Sequence, residues 1–395
     1  MTKVSKAFDA DVIVVGSGPS GTFLANILGQ MGLSCLLIER RLGHHPSSMA
    51  IGVMPPSLQR LAHLGTADSV VKAGCPVMRA SVLTETTLLG TLDLSGLPPP
   101  FNFILSIPQG ALVGILRDKL TAWPRVRLQL GWEVLSVSQT EQGVLVEVRE
   151  GATGACSRLS ARFVVACDGS RSPVRTCLGI PFEGKAYASS FMMGDFPDST
   201  PWGGDARLYF TRTGSIESFP LPQGRRRWVI QSRCGDARSE TIAERVGTIT
   251  GMALDIGRAQ GVTAFTPERR LCKRYFMGRV VLCGDAAHVM SPIGGQGMNT
   301  GLGDAWYLAA VLKQLCETGE APERLLARYE QVRRETFRTA ASRAASGMWL
   351  GTRKGLVASS LRRVFIQRVL FGTSLRRRLA PHFAMLTIPE VDPLQ

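Results

Sequence analysis

Glycines near the start of the chain have the spacing of a turn that holds a phosphate group. They occur in the run Gly16-Ser17-Gly18-Pro19-Ser20-Gly21. In such a turn Gly16 permits a tight bend, Gly18 lets a pyrophosphate approach the backbone, and Gly21 lets the next helix pack closely on the preceding strand. The first N–H groups of that helix face the phosphates with a partial positive charge. The pattern therefore predicts a dinucleotide-binding turn.

The residues around this turn indicate the elements that must position it. Residues 10–15 form a short β-branched apolar run, which is typical of a buried parallel strand. Residues 22–31 have helical composition, and residues 34–38 predict a second strand that ends at Glu39. The Glu39 carboxylate can accept hydrogen bonds from ribose hydroxyls. This order of elements predicts a Rossmann-like unit, and it leaves NAD and FAD equally open.

Two later segments have a similar strand-to-turn design. Residues 161–167 predict a strand that runs into Asp168-Gly169, and residues 279–283 predict another that runs into Gly284-Asp285. A glycine loop, Gly294-Gly-Gln-Gly-Met-Asn299, follows the second of these, and then a helix through 300–315. Each segment alone fits an ordinary strand-to-turn junction. Their order and spacing together are much more specific.

The three motifs together resemble those of the class A flavoprotein monooxygenases, the aromatic-ring hydroxylases with the para-hydroxybenzoate hydroxylase fold. The resemblance covers about residues 8–345. It implies an α/β fold with a Rossmann-like FAD-binding domain, an interleaved mixed β-sheet substrate domain and C-terminal helices. It also implies bound FAD, with NAD(P)H as a transient co-substrate.

The family pattern assigns roles to particular positions. The glycine turn would hold the pyrophosphate, Glu39 and Arg40 would lie at the adenosine ribose, and Gln109 would contact the phosphate and ribityl region. The Gly284-Asp285 motif and the glycine loop would contact the ribityl chain and the isoalloxazine. The FAD-binding residues that the resemblance implies are Gly16, Gly18, Pro19, Ser20, Gly21, Glu39, Arg40, Gln109, Val134, Asp168, Gly169, Gly284, Asp285, Pro292, Gly295, Gly297, Met298 and Asn299.

The implied reaction is a monooxygenation. By the resemblance, NAD(P)H would reduce FAD, O2 would add at C4a to give a hydroperoxyflavin, and one oxygen atom would hydroxylate or epoxidise an aromatic, quinone or quinolone, or polyketide-like molecule. Such chemistry is common in secondary metabolism and antibiotic biosynthesis. No second G-x-G-x-x-G unit follows a strand, so the sequence predicts no separate NADPH domain.

Three alternatives stay open. Residues 51–65 and Lys72 partly resemble flavin-dependent halogenases, although no two of the six Trp residues are two positions apart, as the halogenase W-x-W signature requires. A solvated helix lysine is the preferred interpretation of Lys72. A flavin reductase of the geranylgeranyl-reductase type and a flavin-binding protein without turnover are the other two alternatives.

The motifs also predict how the chain is divided. The FAD-binding domain would comprise residues 1–75, 101–180 and 268–345, and the substrate-binding sheet would comprise residues 76–100 and 181–267. Strands are expected at 206–210 and 227–233, with a turn over 221–227. Inward aromatics such as Phe210 and Phe219 would contact substrate or simply pack in the core.

No catalytic residue and no metal site are predicted. Histidine is a common catalytic base, which makes His288 a tempting candidate, but its place inside the third motif favours a structural role. The nine cysteines are odd in number and never spaced C-x-x-C, which indicates reduced thiols in a cytoplasmic protein. The sequence shows neither a signal peptide nor an apolar run long enough to span a bilayer.

The net charge of +15 is partly concentrated in a basic C-terminal region, residues 346–395, with eight Lys or Arg against two acids. The region lacks a recognition motif and interleaved aromatics, so nucleic acid is not expected as a partner. Apolar residues recur at helical spacing over 356–371. They predict either a helix that packs on the domain with a solvated basic face, or a helix that contacts a membrane surface and suits a lipophilic substrate.

Overall fold

Parallel strands carry the three motif loops side by side. The computed structural model describes residues 8–43, 50–232, 237–389, 391 and 393. In chain order the strands are β1 (Ala10–Val15), β2 (Cys35–Glu39), β3 (Gly52–Val53), β4 (Cys75–Val77), β5 (Arg79–Leu83), β6 (Leu88–Asp93), β7 (Ile104–Ser106), β8 (Val126–Leu130), β9 (Trp132–Gln139), β10 (Val144–Glu150), β11 (Cys156–Ala166), β12 (Phe182–Ala186), β13 (Ser190–Pro197), β14 (Ala206–Thr211), β15 (Gly214–Leu221), β16 (Arg225–Ser232), β17 (Gln260–Phe265), β18 (Glu268–Cys272), β19 (Phe276–Met277), β20 (Val280–Leu282) and β21 (His288–Val289).

Helices surround these strands. They are α1 (Pro19–Gln30), α2 (Pro55–His63), α3 (Ala67–Lys72), α4 (Gln109–Leu120), α5 (Pro173–Cys177), α6 (Ser239–Thr250), α7 (Gln296–Thr318), α8 (Glu323–Thr352), α9 (Leu356–Val364) and α10 (Arg376–Phe383). A π-helical turn over Phe365–Leu370 follows α9 directly. Among the described residues, no helix is long and apolar enough to cross a membrane.

The larger sheet has the order β19-β20-β11-β1-β2-β8, and β10 and β9 extend it from β11. Strands β20, β11, β1, β2 and β8 run parallel to one another. Val15 lies opposite Ala166 and Ile38, and Ala166 lies opposite Leu282. The three motif loops therefore leave the sheet at the same edge.

Burial on both faces explains the β-branched composition of the central strands. Val12, Ile13 and Val14 of β1 are fully buried, as are residues 163–166 at the end of β11 and all of β20. Each such side chain contributes about 1.5 to 3 kcal/mol through the hydrophobic effect. Helices α1 and α7 pack against each other over this sheet.

A second sheet has seven strands in the order β17-β13-β16-β15-β14-β5-β6. It is mixed, because β14 and β5 are parallel while the other pairs are antiparallel. One face, the outer face, packs on α6 through Ile216, Trp228 and Ile230. The opposite face, the inner face, packs on the end of α8. Its strands come from both ranges that the sequence predicts for the substrate-binding sheet, 76–100 and 181–267. The exact limits of the two domains stay a prediction.

The turn predicted over 221–227 is wrong in extent. It occupies only residues 222–224, and Arg225 already begins β16. Arg226 and Arg227 are buried, and they pair with Asp198 at 3.0 Å and Asp195 at 2.6 Å. A run of three arginines resembles a solvated turn in the sequence, and only the carboxylates of the neighbouring loop and strand let it continue as a strand.

The solvated basic face predicted for residues 356–371 is also only partly correct. Arg363 is exposed, but Arg362 is buried and donates hydrogen bonds to the carbonyl oxygens of Thr211 (2.8 Å) and Arg353 (2.9 Å). The apolar side chains of Val357, Leu361 and Val364 are instead exposed. Carbonyl groups around the end of α8 lack partners within that helix, which explains why they attract a guanidinium here.

Candidate active site

The glycine turn after β1 has no room for side chains where it packs and open space where a ligand would lie. Gly16 has φ +99°, and a Cβ atom there would lie 2.5 Å from the carbonyl oxygen of Cys167. A Cβ atom on Gly21 would overlap the carbonyl oxygen of Gly16. Around a Cβ on Gly18, by contrast, no atom lies within 4 Å. Helix α1 begins at Pro19, three residues earlier than predicted.

Glu39 lies at the end of β2 and faces this turn. One carboxylate oxygen, Oε2, accepts a hydrogen bond from the Ser17 backbone N–H at 2.9 Å, and Oε1 accepts one from the Arg41 N–H at 3.0 Å. Arg117 of α4 donates to the Ser17 hydroxyl. The sequence reasoning missed Arg117, although Gln109 at the start of the same helix is one of the predicted residues. A guanidinium beside a phosphate-binding turn adds positive charge where a pyrophosphate needs it.

The Asp168-Gly169 motif follows β11, so it lies beside the glycine turn that follows β1. Asp168 Oδ2 accepts a hydrogen bond from the Val174 N–H at 3.2 Å, while burial raises the pKa of its carboxyl. Gly169 has φ +86°, and no atom lies within 4 Å of the place where a Cβ would stand. Arg175, which the sequence reasoning also missed, donates to the carbonyl oxygens of Ala286 and Ser170 at 2.8 Å each. It thereby joins the second motif to the third.

A buried ionic group supports the third motif from behind. Asp304 of α7 accepts hydrogen bonds from the Gly284 N–H at 3.1 Å and from Arg333 Nε at 2.7 Å. His288 Nε2 lies 2.7 Å from the same carboxylate, and its ring stacks on Phe337. Burial alone would raise the pKa of Asp304, but His288 and Arg333 lower it to about 2. These contacts give His288 a structural place.

Asp285, in the same motif, is exposed to solvent. Desolvation by the surrounding protein nevertheless raises the pKa of its carboxyl, an effect that nearby His288 opposes. A carboxylate at this place can accept hydrogen bonds from hydroxyl groups of a ligand.

The glycine loop leads into α7, which begins at Gln296, earlier than predicted, and ends at Thr318. Gly294 and Gly295 have φ +84° and +65°, which only glycine adopts easily. The Asn299 amide donates to the carbonyl oxygens of Gly52 (2.9 Å) and Gly295 (2.7 Å), and its oxygen accepts from the Met54 N–H. Its side chain therefore holds the loop on β3, so only the backbone of Asn299 stays available to a ligand.

The remaining predicted positions occupy different surroundings. Ser20 packs against Gly284 and Gly301, and the Val134 side chain is buried in the main core. Arg40 is exposed beside an open cleft that also includes Arg41, Glu133 and Arg149. Gln109 begins α4, and Pro292, Gly297 and Met298 are half-buried. Their contacts with FAD stay predictions.

Unpartnered buried atoms indicate that the site fits a polar cofactor. Among the described residues, eleven buried side-chain atoms lack a hydrogen-bond partner, and three of them lie at the site: Arg117 Nε, Asp168 Oδ1 and Gln296 Oε1. Such groups are costly unless a ligand satisfies them. They come from the helix beside the glycine turn and from the other two motif loops, and an extended dinucleotide needs donors and acceptors at these places.

The inner face of the seven-stranded sheet approaches the glycine loop through α8. A Cβ atom on Gly347 would lie 3.5 Å from Ile293 of the loop, and one on Gly351 would lie 3.1 Å from Phe210 of β14. These glycines are one helical turn apart. Phe210 and Phe219 are both half-buried on this face, and Phe210 also lies 5.5 Å from the Arg362 guanidinium.

Comparison with known proteins decides the family. Residues 9–344 match the family described as "FAD binding domain". The chain belongs to this family of FAD-binding proteins. Pentachlorophenol 4-monooxygenase from Sphingobium chlorophenolicum is 31% identical over 346 residues, which cover 82% of this chain and 62% of that relative. The chain thus spans about three fifths of the length of this relative.

Solved structures agree with this FAD-binding fold. The p-nitrophenol 4-monooxygenase of Pseudomonas putida superimposes with a TM-score of 0.88 at 22% identity, and the match covers 97% of this chain and 99% of that one. Anhydrotetracycline hydroxylase from Streptomyces rimosus gives a TM-score of 0.80 at 25% identity, and the match covers 97% and 77%. The predicted fold, with its FAD-binding part and its associated sheet, is confirmed.

Proposed function

We propose that this protein is an FAD-dependent monooxygenase that uses NAD(P)H and O2 to hydroxylate or epoxidise an aromatic or polyketide-like molecule. The observation that supports this most is the convergence of three motif loops on one sheet edge, with a separate sheet joined to the third loop by α8. FAD, when bound, would take a hydride from NAD(P)H and activate O2, so that one oxygen atom enters the substrate and the other leaves as water.

The chain's own residues would bind FAD and orient it. The glycine turn and Arg117 would hold the pyrophosphate, Glu39 would orient the ribose side, and Asp285 would accept hydrogen bonds from ribityl hydroxyls. The N–H groups at the start of α7 would stabilise negative charge on the reduced ring system, because α7 is 23 residues long and its N-terminus lies in the glycine loop.

The inner sheet face favours an apolar, flat substrate. Leu208, Phe219 and Val229 are half-buried there, and this surface would exclude water from the reacting atoms. Two of the proteins reported above act, by name, on p-nitrophenol and pentachlorophenol, and a third on anhydrotetracycline. We infer a hydroxylated aromatic or polyketide substrate for this chain as well.

The alternatives have less support. Lys72 is exposed at the end of α3, as a solvated surface lysine would be, and the relatives reported above are named as monooxygenases and hydroxylases. A halogenase would require halide for turnover, a reductase of the geranylgeranyl type would work without O2, and a binding protein would show no flavin reduction.

The test is anaerobic mixing of the FAD-loaded protein with NADH or NADPH, followed by oxygenated buffer containing 4-nitrophenol, pentachlorophenol or a tetracycline-type polyketide. We expect flavin reduction by at least one nucleotide, accelerated by one substrate class. With ¹⁸O2, the hydroxylated product should gain one labelled atom. Reduction without incorporation of label, or turnover only with halide, would contradict the proposal.

We also propose that α9 contacts an anionic membrane surface of the cytoplasm. Val357, Leu361 and Val364 are 74%, 67% and 56% exposed on one face of the helix. Between 346 and 389 the chain has eight basic residues, all exposed except Arg362, and no acidic one, so a second copy of this surface would be repelled while anionic lipid would be attracted. Such contact suits a lipophilic substrate.

Vesicle sedimentation tests this contact. The protein should bind vesicles of phosphatidylcholine with phosphatidylglycerol, bind pure phosphatidylcholine weakly, and lose binding when Leu361→Ser and Val364→Ser are combined. The matched control is Met277→Ser, which changes an apolar residue, 42% exposed, outside the C-terminal region. Equal binding of both variants to both vesicles would contradict the proposal.

A further inference from the structure

Glu217 lies in the middle of β15 on the inner face. Its neighbours in the strand, Ile216 and Ser218, face the other way, and Ile216 packs with the residues of α6. Because side chains alternate along a strand, Glu217 points away from α6, on the same side as Phe219. The Glu217 side chain is only 8% exposed.

No described residue pairs with the Glu217 carboxyl. Its direct cross-strand neighbours are Leu208 and Val229, which are both apolar. Arg227 also faces this side, but Asp195 binds its guanidinium at 2.6 and 2.8 Å. The other charged groups near this face are likewise held by protein oxygens: Arg225 by the carbonyl groups of Asp195 and Arg258, and Arg362 by those of Thr211 and Arg353.

Two connections bring the Glu217 strand towards the glycine loop. Ser106 of β7 donates a hydrogen bond to the carbonyl oxygen of Pro220 at 2.6 Å, and β7 pairs with β3, which Asn299 holds. On the other side, α8 approaches both Phe210 of the adjacent strand and Ile293 of the loop. Glu217 therefore lies on the sheet face that α8 covers, and α8 links this face to the glycine loop.

An unpaired buried carboxyl costs free energy that the folded chain does not offset. Desolvation by burial accordingly raises the pKa of Glu217 to about 7. A carboxyl group whose pKa is strongly shifted is a candidate for a binding or catalytic role. At neutral pH this side chain is divided between its acid and its carboxylate, so it can both accept and return a proton.

We propose that Glu217 is a catalytic residue that accepts a hydrogen bond from a hydroxyl group of an aromatic substrate and removes its proton. This inference rests on the proposed monooxygenase function and names the substrate class for that site: phenols or enols. The substrate O–H bond breaks, its electron pair stays on oxygen, and the proton forms a new O–H bond on Glu217. After oxygen transfer the proton returns to the product oxygen, so Glu217 is ionised again.

The consequence is a more reactive ring. A phenolate donates electron density to its ortho and para carbons, and these are the positions that an electrophilic oxygen attacks. A carboxylate whose pKa is near neutrality can accept a phenolic proton at the reaction pH. The side-chain amide of a glutamine in its place could not.

The test uses 4-nitrophenol as probe, with 4-nitroanisole, which lacks the hydroxyl, as a matched ligand. Binding to the FAD-loaded protein is followed by difference absorbance between pH 5 and pH 9, in the wild type and in Glu217→Gln, Glu217→Asp and Glu244→Gln. Glu244 is an exposed carboxylate of α6, on the outer side of the same sheet. Infrared difference spectra over the same pH range report the carboxylic acid directly.

We expect Glu217→Gln to weaken 4-nitrophenol binding by tenfold or more and to leave 4-nitroanisole binding unchanged. It should also remove the acidic limb of the binding profile and the carboxylic-acid infrared band that titrates near pH 7. Glu217→Asp should restore part of the binding, and Glu244→Gln should behave as wild type.

An unchanged 4-nitrophenol affinity and pH profile in Glu217→Gln would overturn the inference, and so would an equal loss for the two probes. The proposed function is tested separately by flavin reduction and ¹⁸O incorporation in the wild-type protein. If the wild type fails those assays while Glu217→Gln still weakens the binding of 4-nitrophenol alone, only the monooxygenase proposal is contradicted.

Discussion

The cofactor edge of the larger sheet and the inner face of the smaller sheet are built in opposite ways. At the edge, backbone positions decide the geometry: Gly16 and Gly21 have no space for a Cβ, while Gly18 lies open. On the inner face, side chains decide it, and Leu208, Glu217 and Val229 stand side by side on adjacent strands. At the edge, steric clashes limit which residues the chain can have. On the inner face, the side chains have to match the chemistry of the substrate.

This difference teaches where specificity can reside. A dinucleotide is the same molecule for every protein of the family, so a backbone cradle can be fixed by a few glycines. A substrate differs from one protein to the next, and a sheet face can change one side chain at a time without changing its backbone hydrogen bonds. Substitutions at the tightly packed glycines of the edge should therefore damage both folding and FAD binding, whereas those on the face should change substrate binding and leave the fold and FAD binding intact.

Gly21→Ala should have the largest effect. The new Cβ would overlap the Gly16 carbonyl oxygen, so α1 must move away from the sheet. We expect a loss of more than about 3 kcal/mol in the free energy of unfolding, together with loss of bound FAD. Denaturant unfolding and the flavin absorbance of the purified protein measure the two effects.

The control is Gly18→Ala, because Gly18 has free space around the position of a Cβ and φ −70°. It should fold normally and bind FAD at least tenfold more weakly; FAD binding by Gly21→Ala at wild-type affinity would contradict this account.

Asp304→Asn should be the next most damaging change. It leaves the Arg333 guanidinium buried without its carboxylate, which costs about 3 to 5 kcal/mol. The folded pKa of Asp304 is about 2, below its ordinary value of 3.8, so this stabilisation is present above about pH 4 and is lost as the pH falls towards 2. The difference in unfolding free energy between variant and wild type should therefore shrink at pH 3. Glu317→Gln at the exposed pair with Lys313 on the same helix is the control, and it should change stability by less than about 1 kcal/mol.

The same comparison explains what the sequence could predict. Glycine spacing, β-branched strands and the acid at Glu39 are local patterns, and they led to the motif loops, the FAD-binding fold and the family. Arg117 and Asp304 were missed, because their partners Ser17 and Arg333 lie 100 and 29 residues away in the chain. Glu217 was missed because the alternation in β15 shows two faces without showing which of them lies over the site. Arg226 and Arg362 look solvated until their hydrogen-bond acceptors are known.

Glu217→Gln should stabilise the protein while it impairs phenol binding. The folded pKa of about 7 is above the ordinary value of 4.5, so ionisation destabilises the fold as the pH rises from 4.5 through 7. The full difference corresponds to about 3 kcal/mol. The thermal midpoint of Glu217→Gln should exceed that of the wild type at pH 8.5 and match it near pH 4.5, whereas Glu244→Gln should show no such trend. A lower midpoint at pH 8.5 would indicate that the carboxylate has a partner in the folded chain.

Arg362→Met should have the smallest effect, confined to the C-terminal helices beside the inner face. The side chain keeps its apolar stem but loses its hydrogen bonds to the carbonyl oxygens of Thr211 and Arg353. We expect a loss of about 1 to 2 kcal/mol, measured as faster amide hydrogen exchange over α9. Arg363→Met, next to it and exposed, should exchange at the wild-type rate. Because α9 packs beside Phe210 and not at the glycine turn, FAD affinity should stay unchanged in both variants; weaker FAD binding in Arg362→Met would show that the two regions are coupled and would break the distinction between them.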